Sequence, residues 1–206
     1  MTHLDHITVT ALALDEGIAH VRYALGVAPA GGGEHPPMGT HNALLRLGDS
    51  VYLEVIAPNP DAPRPSRPRW FGLDELAPGT PPRLGVWAAR TAAIERALTV
   101  SSEPLGPAVP MTRGALQWLI TIPPDGRPLL DGAAPALIQW QGAAHPAATL
   151  PDHGFRLVAL ELRHPEPARV EALLRSLAFE GEVHVHAGSP GLAARIETPA
   201  GSRWLA

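Results

Sequence analysis

Two side chains on predicted strands are of the types that carry chemistry: His6, in the segment LDHITVT, and Glu54, in the segment VYLEVIA. A carboxylate within an apolar strand is costly to bury without a partner. Glu54 is therefore expected to face a cavity, a metal ion or a protonated histidine. An imidazole and a carboxylate in one cavity could ligate a divalent ion or move a proton, so these two residues are the candidate catalytic pair.

The surroundings of this pair recur further along the chain. Residues 4–57 read as a strand, a helix and further strands, and residues 83–142 read in the same way. Aligning RLGVWAA with LDHITVT places Gly85 opposite His6, and aligning ALIQWQG with VYLEVIA places Gln139 opposite Glu54. Internal repetition of this length indicates similar units that pack together to complete a sheet. A histidine and a glutamate on the outer strands of such a unit could form half of a metal-binding cup.

The alternation of apolar and polar residues divides the chain into three βαβββ-like units within one compact protein. We predict a first unit at 1–60, a Pro-rich excursion at 61–82, a second unit at 83–145 and a third unit at 155–206. The predicted fold class is α+β, with a curved mixed or antiparallel sheet around a cavity. The third unit offers no ligand side chain at the cup position, and we expect it to be a structural appendage.

Within the first unit, the local signals differ in strength. The segments HNALLRLG and VYLEVIAP, separated by Asp49 and Ser50, predict a hairpin. The segment GVAPAGGGEHPPMGT is rich in Gly and Pro and is predicted to be irregular. In the Pro-rich excursion, Trp70, Phe71 and Leu73 are expected to anchor the segment to the body of the protein.

Composition excludes several functional classes. The chain has no cysteine, which excludes disulfides, thiolate metal sites and cysteine nucleophiles, and it has no lysine, which excludes Schiff-base chemistry. The net charge of −4 gives no support for a nucleic-acid partner. The N-terminus does not have the pattern of a signal peptide, and no apolar run is long enough for a membrane helix. A cytoplasmic protein without a membrane partner is the expectation.

Further side chains are candidates for contact with a small molecule. Arg113 lies beside Trp118 in sequence and could bind a carboxylate or phosphate in a bidentate manner. Aromatic walls are common in concave ligand sites, which favours Trp118 and Trp140. The full set of predicted ligand-binding residues is His41, Asn42, Arg113, Trp118, Gln139 and Trp140. Each could instead be structural, and the alternating His184 and His186 are more typical of an exposed strand face than of a metal pair.

The segments LDHITV and HPPMGTHNALLRLGDSVYLEVIAP resemble glyoxalase-like proteins of the vicinal oxygen chelate (glyoxalase/bleomycin resistance/dioxygenase) superfamily. The resemblance covers the first two units, and the third unit looks like a further copy. It implies paired units that form a half-open barrel whose concave face holds a divalent metal, with Zn, Ni, Mn and Fe all conceivable. Carried over position by position, the metal ligands are His6, Glu54 and Gln139, and the fourth position, Gly85, has no side chain.

Three functions remain open at this point, of which a pseudo-enzyme whose third unit serves oligomer contacts is the weakest. The first is a metal-dependent lyase, isomerase or dioxygenase acting on the vicinal oxygens of a small substrate. The second is a metal-free protein that binds or sequesters a small molecule in the same cup, as bleomycin-resistance relatives do. The missing ligand at Gly85 and the tryptophans at 87, 118 and 140 favour the second. The sequence leaves open whether the chain forms a homodimer.

Overall fold

The computed structural model describes residues 1–206 and has an α+β fold, as the sequence predicts. The strands are β1 (Thr2–Thr10), β2 (Ala30–His35), β3 (Thr40–Arg46), β4 (Tyr52–Pro58), β5 (Arg83–Arg90), β6 (Ala108–Arg113), β7 (Leu116–Thr121), β8 (Ala136–Trp140), β9 (Arg156–His164), β10 (Phe179–Glu180), β11 (Val183–Ala187), β12 (Gly191–Thr198) and β13 (Gly201–Leu205). The helices are α1 (Leu14–Leu25), α2 (Ile94–Val100), α3 (Pro146–Thr149) and α4 (Pro167–Ser176). No helix is long and apolar enough to cross a membrane.

The large sheet is built from two similar halves. Its strand order is β2-β3-β4-β1-β5-β8-β7-β6, with the short β10 also paired to β1. The first strand of each half runs parallel to the last strand of that half, and β1 and β5 meet antiparallel at the centre. The sheet curves until its two edge strands, β2 and β6, approach each other. The nearly closed, curved sheet confirms the predicted architecture.

The register of the central pair fixes the pseudo-two-fold axis. His6 pairs with Ala88, and Thr8 pairs with Val86. A two-fold axis that passes between the paired residues Ile7 and Trp87 makes Val86 the counterpart of His6 and Ala88 the counterpart of Thr8. Because Thr8 pairs with Glu54 and Ala88 pairs with Ala136, the counterpart of Glu54 is Ala136.

The third unit forms a sheet of its own. Its strand order is β11-β9-β12-β13, and its first strand runs parallel to β11, not to its last strand. Along the chain, its elements follow the order of a βαβββ-like unit. The strand pairing, however, differs from that of the first two units. Residues such as Leu160 and Ile196 pack into a core of 28 buried residues shared with Ile7 and Leu53 of the large sheet. The third unit thus covers the face of the sheet opposite to the concave one.

The glycine-rich stretch before His35 is wrongly predicted as irregular. It forms the edge strand β2, which pairs with β3 from Ala30 to His35 and contains a register shift between Ala30 and Gly33. Gly32 has a φ of 92°, and a Cβ there would lie 2.1 Å from the carbonyl oxygen of Asn42. Only glycine allows this close approach, so a sequence typical of a loop becomes a kinked strand.

The Pro-rich excursion folds back over the open side of the cup. Trp70 and Leu73 are buried, in agreement with their expected role as anchors. Between them, Phe71 and Gly72 have φ angles of 62° and 67°, in the left-handed region. A left-handed Phe is a strained conformation that the surrounding contacts must maintain.

Candidate functional site

A cavity lies on the concave face, mainly over the first half of the sheet. Its free volume is about 20 Å³. Its lining comprises His6, His35, Asn42, Tyr52, Glu54, Trp70, Phe71, Arg113, Trp118, Ile120, Ile138 and Trp140. The side chains of His6 and Glu54, predicted to share one cavity, face each other, with Nε2 of His6 3.8 Å from Oε2 of Glu54.

A β-bulge in β1 brings Asp5 to the same site. The register with β5 shifts between Leu4 and His6, which leaves Asp5 without a partner in the ladder. Two consecutive side chains of β1 therefore serve the cup, although a regular strand would send them to opposite faces. Oδ1 of Asp5 lies 2.7 Å from Nδ1 of His6. Asp5 is fully buried, so its negative charge depends on the donors around it.

Asp5 accepts hydrogen bonds from three side chains. Besides His6, Nε1 of Trp140 donates to its Oδ2 at 3.0 Å, and Nε2 of His145 lies 3.1 Å from the same oxygen. Nδ1 of His145 accepts from the amide of Ala147, so Nε2 carries the proton that His145 donates. Burial alone would raise the pKa of Asp5, but the hydrogen bonds from His145 and His6 outweigh it and hold that pKa well below its usual range. The carboxylate is therefore charged at neutral pH.

The hydrogen bond to Asp5 also sets the tautomer of His6. A neutral imidazole that donates from Nδ1 has its lone pair on Nε2, the atom that faces the cavity and Glu54. The ring is held in place by stacking on Tyr52, with centroids 4.6 Å apart and planes 20° apart. Position and tautomer are thus both fixed by residues that a strand pattern alone does not reveal.

Glu54 is held by neutral donors. Nδ2 of Asn42 donates to its Oε1 at 2.5 Å, and Oγ1 of Thr8 donates to its Oε2 at 3.4 Å. Oδ1 of the same Asn42 accepts from Nη1 of Arg113 at 2.9 Å. A chain of hydrogen bonds therefore runs from the carboxylate through an amide to a guanidinium on the other half of the sheet.

Arg113 and His35 meet where the two edges of the sheet come together. Nη1 of Arg113 lies 3.3 Å from Nε2 of His35, and Nδ1 of His35 lies 3.2 Å from Oγ1 of Thr40. Burial, which outweighs the opposing attraction of Glu54, lowers the pKa of His35 to about 4, and Arg113 adds to the lowering. His35 is therefore neutral at pH 7 and accepts a hydrogen bond from Arg113.

Two of the predicted ligand-binding residues are placed elsewhere. Gln139 points away from the cup, and its Oε1 accepts from the amide of Ile94 at the start of α2, at 2.8 Å. His41 lies on the other face of β3, against Leu14 and Pro58. The structure therefore places neither side chain in the cup. Gln139 lies three residues beyond Ala136, the counterpart of Glu54, and an odd offset along a strand turns a side chain to the opposite face.

Gly85, the other aligned position, lies at the bulge of β5. A Cβ on Gly85 would lie 2.8 Å from Oγ1 of Thr10, so it does not open onto the site of His6. The remaining predicted contact residues, Asn42, Arg113, Trp118 and Trp140, line the cavity. The site residues outside the predicted set are Asp5, His35, Tyr52 and His145. The only signal for Asp5 was its place next to His6.

The side chains at the four aligned positions provide too few donors for the divalent ion that the resemblance implies. His6 and Glu54 offer two donors, whereas their counterparts Val86 and Ala136 offer none, and Gln139 is turned away. No group of three or more His, Asp or Glu side chains in the chain is arranged to hold a metal ion. The side chains present therefore do not fit the family's metal site.

Comparison with known proteins places this geometry in a family. A family model described as a glyoxalase-like domain matches residues 4–178. The fold is similar to that of a hypothetical protein from Staphylococcus aureus, with a TM-score of 0.64 and 12% identity over 93% of this chain and 88% of that chain. A methylmalonyl-CoA epimerase from Mycobacterium tuberculosis has a TM-score of 0.45 and 18% identity over 68% of this chain and 88% of that chain.

At these identities the structural similarities concern the fold alone. No protein of curated function is significantly similar to the chain in sequence. The family model, in contrast, covers most of the chain, including both halves of the large sheet and the start of the third unit. The chain belongs to the glyoxalase-like domain family.

Proposed function

We propose that this protein is an isomerase-type enzyme that removes and returns a proton next to a carbonyl group of a small carboxylic acid. The observation that carries the proposal is the 2.7 Å hydrogen bond between Asp5 and Nδ1 of His6, which leaves Nε2 free towards the cavity. An imidazole oriented by a buried carboxylate is a general base of the kind used in many proton transfers.

The charge distribution supports this role for His6. When Nε2 accepts a proton, the imidazolium lies between two carboxylates, Asp5 at 2.7 Å and Glu54 at 3.8 Å. The surrounding rings and aliphatic side chains exclude water, which strengthens both interactions. The protonated form of the base is therefore stabilised at the stage of the reaction where it forms.

Arg113 supports binding of an anion. It forms hydrogen bonds with Asn42 and His35, both uncharged, and it has no carboxylate partner. A guanidinium has five N–H donors, so several remain for a ligand. A carboxylate of the substrate would neutralise this charge inside the cup.

The proposed reaction balances without any further reactant. The C–H bond next to the carbonyl breaks, its electron pair moves into an enolate, and the proton moves to Nε2 of His6. Arg113 stabilises the negative charge of the enolate and carboxylate. Return of the proton from His6 to the same carbon regenerates the substrate with exchange of its hydrogen, whereas delivery to the enolate oxygen gives the enol isomer. General base catalysis of this kind contributes about 10²- to 10⁴-fold to the rate.

The test is hydrogen exchange with solvent, which needs no knowledge of the natural substrate. Small 2-oxo and 3-oxo carboxylic acids are incubated with the protein in D₂O, and loss of the C–H signal is followed by NMR. We expect exchange with the wild type and a loss of about 10²-fold or more in His6→Gln. The matched control is His153→Gln, because His153 is an exposed loop histidine. Equal exchange rates in wild type and His6→Gln would contradict the proposal.

A metal-free binding protein is the second candidate. The aromatic rings of Trp70, Phe71, Trp118 and Trp140 line the cavity, and such walls favour a planar ligand without requiring chemistry. Tight binding of an oxo acid without any exchange would support this candidate over the first. Metal content of protein purified without chelators or a His tag checks the metal-dependent alternative, since stoichiometric metal would favour it.

A further inference from the structure

A second cavity adjoins the first on the concave face. Its free volume is about 30 Å³, and most of its lining is apolar. Its lining includes Trp70, Phe71, Val86, Arg127, Ala134 and Ala136. We call this space the apolar chamber, and the cavity around His6 and Glu54 the polar chamber.

The two chambers occupy related places in the two halves of the sheet. Val86 and Ala136, which line the apolar chamber, are the two-fold counterparts of His6 and Glu54, which line the polar chamber. The duplicated scaffold therefore provides the same kind of recess twice. At these counterpart positions one half has the ionisable His6 and Glu54, and the other half has the aliphatic Val86 and Ala136.

Only Trp70 and Phe71 line both chambers. Their rings stack at 5.3 Å and form the wall between the two spaces. Phe71 has a φ of 62°, and Gly72 after it a φ of 67°. Nε1 of Trp70 is buried without a hydrogen-bond partner. The wall thus combines backbone strain with an unpaired polar group, and both are features of a segment that rearranges when a ligand binds.

The size of the chambers requires such a rearrangement. Free volumes of about 20 and 30 Å³ hold a few water molecules at most. Displacement of the Trp70–Phe71 wall would join the chambers into one elongated site. One end of that site has Arg113, His6 and Glu54, and the other end is lined mostly by apolar side chains, with Thr121 and Arg127 as its polar members.

We propose, on the basis of the proposed function, that the substrate is an amphiphilic acid with an unbranched apolar tail. Its carboxylate pairs with Arg113 in the polar chamber, and its tail passes the displaced Trp70–Phe71 wall into the apolar chamber. The indole N–H of Trp70 donates to an oxygen of the substrate at the junction, which satisfies a group that is unpaired in the closed form. Burial of each CH₂ group favours binding about three- to fourfold.

The test is a titration with straight-chain carboxylates of two to ten carbons, measured by calorimetry. We expect affinity to rise about three- to fourfold per CH₂ group over several carbons and then to level off when the chamber is full. A slope below about 1.5-fold per CH₂ group would overturn the inference, because a tail left in water gains nothing from its length.

Two variants narrow the chamber without touching the polar end. Ala136→Leu is the first, and Ala134→Val is a milder change of the same kind that serves if the first impairs folding. In each variant, we expect the affinity for long acids to rise less with chain length than in the wild type. The affinity for acetate and butanoate should stay within about twofold of the wild-type value, since the head group binds in the polar chamber. Ala92→Leu, at an exposed position, is the control for a bulkier side chain and should follow the wild type.

The outcomes separate this inference from the proposed function. Length-dependent binding that Ala136→Leu and Ala134→Val both leave unchanged would place the tail outside the apolar chamber and overturn the inference. Exchange of short oxo acids with no dependence on chain length would leave the enzyme proposal intact and overturn the inference alone. Length-dependent binding lost in both variants, without exchange on any acid, would support the inference and contradict the enzyme proposal.

Discussion

The two chambers are built on related backbone positions, yet their chemistry is opposite. The polar chamber has His6 and Glu54, with Asp5 buried behind them, whereas the apolar chamber has Val86 and Ala136 at the counterpart positions. Duplication of the unit has therefore reproduced the shape of the sheet without reproducing the site. The fold sets where a recess lies, and individual side chains decide what that recess can do.

The apolar half also influences the polar half. Trp118, Ile120, Ile138 and Trp140 from the second half complete the lining around His6. They exclude water from a site that holds the carboxylates of Asp5 and Glu54, the imidazoles of His6 and His35, and the guanidinium of Arg113. Charges in such surroundings interact more strongly than in water, and any group left unpaired is correspondingly costly. The comparison therefore predicts that removing a polar partner is far more damaging on one side of the two-fold axis than on the other.

The largest expected effect is on Asp5. Asp5→Leu leaves three donors, on the buried His6 and on the half-buried Trp140 and His145, without an acceptor. We expect the free energy of unfolding to fall by about 3–5 kcal/mol, as when one partner of a buried charged network is removed. Urea unfolding measures the change. Asp5→Asn keeps one acceptor oxygen and should lose less. An Asp5→Leu protein as stable as the wild type would show that this network does not hold the site together.

The next effect concerns pH and His35. Its pKa is lowered to about 4 in the folded protein, mainly by burial, against an ordinary value of 6.5. As the pH falls from 6.5 to 4, His35 binds a proton in the unfolded chain before it does so in the folded protein. The contribution of neutral His35 to the free energy of unfolding is therefore fully present above pH 6.5 and is lost as the pH drops towards 4. The fall attributable to this residue is roughly 2–3 kcal/mol.

His35→Gln provides the comparison for that measurement. Glutamine does not titrate, so the variant should lose less stability than the wild type between pH 6.5 and pH 4, as followed by urea unfolding at several pH values. Other groups that titrate in this range contribute equally to both proteins and cancel in the difference. Parallel curves for the two proteins would mean that His35 is not the group that senses acid.

A matched pair of substitutions compares the two chambers directly. Glu54→Gln keeps an oxygen that can accept from Asn42 and removes one buried charge, so we expect a stability change within about 1 kcal/mol. Ala136→Gln places a larger amide at the counterpart position among apolar neighbours, and we expect a loss of about 1–3 kcal/mol. Thermal and urea unfolding of both variants measure this difference in stability. Equal losses of stability in Glu54→Gln and Ala136→Gln would contradict the prediction.

Much of the scaffold could be predicted from residue patterns. The hairpin of β3 and β4 and the repeat of units are local or periodic signals. His6 and Glu54 stood out for the same reason, because each is a polar residue within an apolar strand. Period-two alternation and turn residues carry this information without any knowledge of distant contacts.

The remainder of the site depends on irregularities that a period cannot encode. Asp5 joins the site only because of a bulge in β1, and Gln139 leaves it because the units align differently at their last strands. His35 follows a glycine run that is typical of a loop, yet the run pairs as an edge strand. Each error comes from the offset of one strand against its neighbour, which long-range packing sets and local sequence does not.

The smallest expected effect lies outside both chambers, on the third unit. His184 and His186 contact Glu161 at 3.0 and 2.5 Å on the exposed face of the small sheet, away from the concave face. The cluster resembles a ligand set in composition, but its histidine side chains are about half exposed and are not arranged to hold a metal ion. Exposed pairs of this kind contribute about 0–1 kcal/mol.

We therefore expect His184→Ala and His186→Ala to change the melting temperature by only a few degrees and to leave proton exchange and carboxylate binding unchanged. A tenfold loss of exchange in either variant, with the fold intact by circular dichroism, would mean that the third unit takes part in the chemistry and that the contrast between the first two halves is incomplete.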